Sequence, residues 1–514
     1  MPSRPEGAAA LLRAARETGD EREVVAVILR NIWELLSTDF VQLSQTLRTL
    51  PERVLLEHPA LCLLHPAASL LLRSDDEFAA PRRPLDGGGD TSATTHAILQ
   101  VTALLIRGDI VAANELAERV AEWGATARDD LTTGPAWWAH QQFGTARLLA
   151  GDTATALHEY NVAARLGEAA GATDPVRASA SISAATHALR GAVRNAERAL
   201  SILRAFPEAS AGFHSAASAA ERTADALIAV ERMSDEIEPA LAASERLDTS
   251  ELIWPLSLLA RARYLLATHL FADAMEATMI AAGSHRVQRG SLAEDLIVSI
   301  RMEALIGQGD LVTARKLWTA VQKPALYVQI AEIRLRLHEH EYARVRRDGA
   351  AILNTPGLSP AHRLDVTALL AWLDVLEGSS ISPSVAQTLA SAVLDGGHRR
   401  LLTSIPEAVA DEISAQLADS EASRFARARE GLVPVASARR YLPLTKSERR
   451  ALRAAGEHPT ISAAAESLHI SVNTVKTQLR KAYRKLNASG LEDAIRRAGP
   501  WLVEGDAEST NVPG

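Results

Sequence analysis

At 514 residues, with 47% hydrophobic but only 4% aromatic residues, the chain can hold two or more domains or a long repeat array; the composition suits Ala/Leu-rich helix packing rather than a β-sandwich. Cys62 is the only cysteine, which excludes an intrachain disulfide and a multi-cysteine zinc site; with no signal peptide and no apolar run of about 18 residues, a soluble cytoplasmic protein without a membrane partner is expected. The net charge of −8 argues at first against nucleic acid, yet residues 441–500 hold 11 basic against 5 acidic side chains, a net +6 beside a body carrying −14.

Residues 1–20 carry little pattern and are expected to fray until about Ala8. Helical periodicity begins at Glu21, with Val24, Val25, Ile28, Leu29, Ile32, Trp33 and Leu36 on one face, and a second helix over 40–50 ends at Pro51. Residues 1–74 thus form an N-terminal helical region. The polar, Gly/Pro-rich stretch 75–96 reads as a loop or linker. Its Gly87–Gly88–Gly89 is a turn, not a phosphate loop, because no Gly-Lys-Ser/Thr follows and no strand precedes.

From 97 to 376 the chain repeats itself. Leu105–Ile106–Arg107–Gly108–Asp109 precedes Ala112–Ala113–Asn114–Glu115–Leu116–Ala117; Leu149–Ala150–Gly151–Asp152 precedes Ala154–Thr155–Ala156–Leu157; Leu189–Arg190–Gly191 precedes Ala196–Glu197–Arg198–Ala199–Leu200; Ile306–Gly307–Gln308–Gly309–Asp310 precedes Ala314–Arg315–Lys316–Leu317. The unit is an apolar helix, a turn in which Gly supplies left-handed geometry, and a helix whose small residues admit close neighbours. Adjacent copies lie about 40 residues apart, with 271–285 as a degenerate copy, and resemble tetratricopeptide-like repeats. One hairpin cannot bury its own apolar face, so the units are expected to stack into a solenoid with a concave binding surface. Residues 378–384 (GSSISPS) read as a break, 386–429 as capping helices completing the 97–429 repeat region, 430–443 as a linker, and 501–514 as a disordered acidic tail.

The C-terminal 60 residues predict four short helices. Thr445–Lys446–Ser447–Glu448 has capping-box spacing and opens a helix that Gly456 and Pro459 stop. Ile461, Ala464, Ala465 and Leu468 mark a second helix, and Ser489–Gly490–Leu491–Glu492 opens a fourth with Leu491, Ala494, Ile495 and Ala498 on one face. Between them lies 471–486, SVNTVKTQLRKAYRKL, with five basic residues and no acidic one. Ser471 is its N-cap, and Ile470 with Val475 is spaced as a hydrophobic staple. At 100° per residue, Val472, Val475, Leu479, Ala482, Tyr483 and Leu486 fall on one side. Asn473, Lys476, Thr477, Arg480 and Arg484 fall on the other, with Thr474 and Lys481 at its edge. A helix apolar behind and cationic in front, preceded by a short helix and a tight turn, follows the helix-turn-helix plan for the DNA major groove. The expected fold is therefore all-α: a helical-repeat solenoid followed by a small four-helix domain over 444–500.

Leu444–Thr445–x–x–Glu448, then Ile470–Ser471–x–x–Thr474–Val475–Lys476, then Lys485–Leu486, resembles the C-terminal DNA-binding domain of LuxR-type transcription regulators. The resemblance implies that this domain reads double-stranded promoter DNA as a homodimer. It places base and phosphate contacts on Lys476, Thr477 and Arg480; Asn473, Thr474, Lys481 and Arg484 are added from the helical wheel. It also makes Leu491, Ala494, Ile495 and Ala498 the expected dimerisation face. The sequence departs from the pattern at Ala464, at Asn487–Ala488 and at Leu491. Upstream, Trp33–Glu34–Leu35–Leu36, Leu50–Pro51 and His58–Pro59–x–Leu61 are similar to the start of the helical-repeat region of large MalT-like members of that group. The ATPase module of those members has no counterpart here.

No catalytic residue, cofactor or metal ligand is assigned, and an enzyme is not expected. His338–Glu339–His340 reads as solvated helix residues without a second ligand cluster. Gly212–Phe213–His214–Ser215 lacks the trailing Gly of a nucleophile elbow. The Trp137–Trp138 pair reads as repeat packing. The leading expectation is a DNA-binding transcription regulator whose repeat body senses a signal, binds a protein, peptide or small-molecule effector, or self-associates. The alternatives are an interaction scaffold without sequence-specific DNA binding and a sigma-factor-like promoter-recognition protein. Against the last, no polymerase-binding region is recognisable upstream.

Overall fold

The computed structural model describes residues 7–32, 34–35, 39–58, 61, 64, 91–126, 135–169, 171, 173–205, 211–245, 252–435, 446–486, 488 and 490–498; among them every regular element is a helix. The chain divides into two compact units, Met1–Ser437 and Ala438–Gly514.

The first unit opens with a helix that the sequence pattern under-reads. Ala8–Thr18 is helical, ends at Gly19 with φ 73°, and buries Ala8, Leu12 and Ala15. Two of those three are alanines, so the buried stripe carries little hydropathy. Glu21–Arg30 and Phe40–Thr49 follow, capped by Asp20 and Asp39. The helix Thr91–Ile106 starts inside the stretch expected to be linker, the rest of which lies outside the described residues.

From there, helices come in pairs. In each pair the first helix packs on its partner and on the first helix of the next pair, through Pro135–Leu149, Thr173–Leu189, Ala211–Arg232, Trp254–Ala267, Leu292–Gly307, Leu326–His338 and Pro360–Leu376. The first helices are therefore buried on most sides, as Leu292–Gly307 is with Leu292, Leu296, Ile297, Ile300 and Leu305. The second helices bury one stripe: Val193, Ala196, Leu200 and Leu203 in Val193–Ala205.

One turn joins the two helices of a pair. At Gly108, Gly151, Gly191 and Gly309 φ lies between 74° and 93°. The amide of that residue donates three residues back and the next amide five residues back: Gly151 to Leu148 and Asp152 to Arg147, at 3.0 and 2.9 Å. This Schellman geometry satisfies the last carbonyls of the first helix. In two of these turns the Asp after Gly also starts the second helix, since Asp152 and Asp310 accept from the amides of Thr155 and Thr313. Five residues past the turn, Ala113, Ala156, Ala196 and Ala314 are wholly buried, which is the close approach that small residues were expected to allow.

The same turn occurs where no glycine announces it. Met233, His269 and His340 have φ of 47°, 61° and 61° and make the same two bonds. Gly378, read as a break, makes them too, and Ser382 then caps Pro383–Leu394. The segment read as a degenerate copy is a full helix, Phe271–Ser284, with Ala274 buried as Ala314 is.

Pairs far apart in sequence also meet. Arg286 reaches Asp109 at 2.8 Å, and Val111 N donates to Gln288 Oε1 across 177 residues. Ala361 N donates to Arg190 O at 2.9 Å, and Arg400 Nε to Glu231 Oε1 across 169 residues. Arg399 joins Met233 O, Ala428 O and Glu430 O, tying the last helix, Asp419–Arg429, to a turn 166 residues earlier.

Two smaller expectations resolve here. His338 is not solvated: its ring packs edge-on against Trp372 at 5.4 Å, and burial lowers it to about 4, with Arg334 and His340 adding to the shift. No group able to hold a metal occurs among the described residues. Trp137 is buried and meets Trp138 edge-on at 5.7 Å. Among the described residues, no helix is long and apolar enough to cross a membrane.

Candidate nucleic-acid interface

The second unit is described from Lys446 to Ala498, so Thr445 and Ser489, which would cap its first and last helices, and the tail lie outside the described residues. It contains helices Lys446–Glu457, Ile461–Ser467, Val472–Leu486 and Leu491–Ala498. Thr460 caps the second, its Oγ1 accepting from Ala463 N at 3.2 Å. The turn to the third is again the Schellman turn, with His469 at φ 55° and Ile470 N donating to Ala465 O at 3.1 Å. Ser471 caps the third helix, its Oγ accepting from Thr474 N at 3.1 Å.

These caps and turns hold a small core of Ala451, Leu452, Ala455, Ala465, Val475, Leu479, Ala482 and Ala494, with Val472 and Tyr483 packed against it. Burial pushes the Tyr483 phenol up. The back of the basic helix is thus committed to the core as its wheel requires, the Leu486 side chain lying outside the described residues. The anticipated staple is weak: Val475 is fully buried, but Ile470 keeps 40% of its surface exposed. Ala464 is fully buried, so its small side chain leaves the second helix seated in the unit.

The front of the helix is open. Asn473, Thr474, Lys476, Thr477, Arg480, Lys481 and Arg484 are all exposed. Among the described residues, Lys476, Arg480, Lys481 and Arg484 have no carboxylate partner. Two hydroxyls are partly engaged: Thr477 Oγ1 donates to Asn473 O at 2.8 Å, and Thr474 Oγ1 lies 2.8 Å from Ser471 Oγ. In this rotamer Thr477 offers an acceptor and a methyl group, not a proton, so it suits a base edge better than a phosphate. The remaining groups offer guanidinium and ammonium donors and one amide, the set that binds phosphates and purine edges. Arg449 and Arg450 on Lys446–Glu457 are also exposed; the sequence reading passed over them because it treated that helix only as scaffold.

The fourth helix turns one residue of the expected dimerisation face, Ala494, inward. Ala494 is fully buried in the unit's own core, and Leu491 and Ile495 are half-buried against it. A Cβ on Gly456 would lie 2.8 Å from Ile495 Cδ1, so Gly456, expected to stop its helix, instead sits inside it and leaves room for Ile495. Leu491 and Ile495 on the same stripe keep part of their surface exposed. Ala494 has no surface to offer a second copy; the Ala498 side chain lies outside the described residues.

In comparison with known proteins, the chain matches no family model and no curated protein.

Proposed function

We propose that the chain is a sequence-reading DNA-binding transcription regulator, in which helix Val472–Leu486 enters the major groove and the preceding helix and turn hold it as a helix-turn-helix. The observation that carries this reading is the split of that helix into a buried apolar back and an exposed face with four cations free of described carboxylate partners. Lys476 and Arg480 are the principal readers, with Asn473, Thr474, Thr477, Lys481 and Arg484 beside them. The resemblance to LuxR-type regulators supports the same assignment. In this reading the paired helices of the first unit form a tetratricopeptide-like solenoid that receives the signal, and the protein works in the cytoplasm on double-stranded DNA. A second copy on a paired half-site would be held by surfaces other than Ala494.

The test is the salt dependence of duplex binding by the full chain. Phosphate contacts by Lys476, Arg480, Lys481 and Arg484 release counterions, so log K should fall with log salt with a slope of about −3 to −4. A slope near zero, or no binding of any duplex at low salt, contradicts the reading and favours a surface that docks acidic protein.

A further inference from the structure

The long-range contacts of the first unit surround a cluster of charged and aromatic side chains drawn from helices as far apart as Thr173–Leu189 and Pro360–Leu376. Most of the cluster answers itself. Glu231, 2% exposed, takes Arg263 at 3.0 Å, Arg400 at 2.9 Å and His398 at 3.5 Å. Burial alone would raise this carboxyl, but Arg400, Arg263 and His398 hold it well below the usual carboxylate range. Arg334 meets Glu303 at 2.8 Å and donates to Ser404 O at 3.0 Å.

Three groups in the same cluster are not answered. The Arg190 guanidinium donates to Thr153 Oγ1 at 2.6 Å, a neutral partner, and among the described residues it meets no carboxylate. Burial lowers its pKa, the mark of a cation poorly compensated for lost water. His362 is buried, and neither of its ring nitrogens has a hydrogen-bond partner. Tyr327 stands edge-on to it at 4.5 Å. Burial pushes the Tyr327 phenol up to about 12, yet the residue keeps accessible surface, and its hydroxyl has no partner among the described residues. Ala361 N, one residue before His362, donates to Arg190 O at 2.9 Å, and Tyr327 stands against His362, so the three unanswered groups share one locality.

The backbone adds to the positive potential. Tyr327 lies in the first turn of Leu326–His338, a helix whose N-cap, Ala325, has no side chain to cap it. His362 lies in the first turn of Pro360–Leu376, whose leading amides are taken, Ala361 N by Arg190 O and His362 N by Ser359 Oγ. Helix N-termini carry partial positive charge, and at Leu326–His338 no side-chain cap offsets it. Around them, the guanidiniums of Arg190, Arg263, Arg334 and Arg400 stand against four carboxylates, Asp152, Glu231, Glu303 and Asp365, of which Asp152 bears on Arg190 without an ion pair. Burial holds His362 at about 4, opposed by Asp365 and helped by Arg263 and Arg190, so at neutral pH it is one donor and one acceptor.

We propose that Arg190, Tyr327 and His362 form an oxyanion site inside the first unit, which takes the carboxylate or phosphate of a small molecule. The guanidinium and the phenol donate to the oxyanion, and His362 receives the polar partner it lacks. The site stands on the first unit alone. Only its consequence, that ligand occupancy alters DNA binding, rests on the function proposed above.

The test uses the full chain, with inorganic phosphate, succinate and, at matched ionic strength, chloride as probes, read by thermal unfolding. Phosphate or succinate should raise the midpoint along a saturating curve while chloride does not. Response to phosphate alone assigns a phosphorylated ligand, and response to succinate alone a carboxylate. Tyr327→Phe, which removes only the hydroxyl, and Arg190→Gln should each raise the half-saturating concentration at least tenfold. Equal shifts in all three salts, no saturation, or titration of Tyr327→Phe as wild type would overturn the site. Should Arg190→Gln fail to fold, Tyr327→Phe decides alone. DNA binding enters none of these readouts, so the site and the regulator reading fail separately.

Discussion

Substituting Gly191 tests whether distant helix pairs are locked together. Gly191 sits at φ 74° in the turn after Thr173–Leu189, and an added Cβ would lie 2.9 Å from Ala361 Cβ, 3.0 Å from its N and 3.1 Å from its Cα. None of those is the far end of a flexible side chain. Gly191→Ala therefore meets three costs: about 1–2 kcal/mol for left-handed backbone, about 1–3 kcal/mol for overpacking, and about 0.5–1.5 kcal/mol for the bond from Ala361 N to Arg190 O, 2.9 Å long, that the clash opens. Gly151 is the control, since it has φ 93° in the equivalent turn and nothing within 4 Å of an added Cβ. Gly151→Ala should carry the backbone cost alone, about 1–2 kcal/mol. In urea unfolding followed by circular dichroism, Gly191→Ala should lose about 2–4 kcal/mol more than Gly151→Ala. Equal losses would refute the lock and leave the contact with Ala361 energetically empty.

Other expectations follow from single groups. Burial, with Glu294 adding to it, raises Asp295 to about 7, so above the ordinary carboxylate range its native state holds a proton that the unfolded chain has shed. Its penalty thus grows as pH rises from about 4 to 7, and Asp295→Asn should stabilise at pH 8 by about 1–3 kcal/mol and by little at pH 4; thermal unfolding at the two pH values checks this. His187 and His362, each lowered to about 4 by burial first, act the other way: the unfolded chain takes their protons first, so stability should fall as pH drops from 6.5 towards 4. Glu231→Gln leaves Arg263 and Arg400 as poorly paired buried cations and should cost about 3–5 kcal/mol in urea unfolding; a loss under about 1 kcal/mol would count against the ion cluster as a structural centre. His469→Gly relieves left-handed strain in the turn before the basic helix and should gain up to about 1 kcal/mol, read as a shift of the second unit's unfolding midpoint.

What the sequence made legible was local. Glycine turns followed by buried alanines announce four of the helix pairs, because glycine is the cheapest residue at positive φ; three of the four continue with aspartate, which at Asp152 and Asp310 caps the next helix. Met233, His269 and His340 hold the same turn through surrounding packing, so their pairs carry no punctuation. The helix Ala8–Thr18 was missed for a related reason: alanine buries as well as leucine there but barely registers as hydropathy. In the second unit the wheel of 471–486 sorted the described side chains into core and surface as the structure has them. At Leu491–Ala498 the same argument left more open, because an apolar stripe does not reveal whether its partner is a second copy or the unit's own core, and Ala494 went to the core. The cluster around Glu231, Tyr327 and His362 had no sequence signature at all, since its members are scattered from Arg190 to Arg400 and meet only in the folded chain.

The measurement that tests the central claim most directly is genome-wide DNA occupancy of the tagged protein beside a Lys476→Ala/Arg480→Ala variant. Each residue that reads a base is worth about 1–3 kcal/mol, so the account expects discrete sites for the native protein and their loss in the variant. Sites occupied equally by both proteins would contradict Val472–Leu486 as the reading helix, and no discrete site for either would contradict the regulator itself.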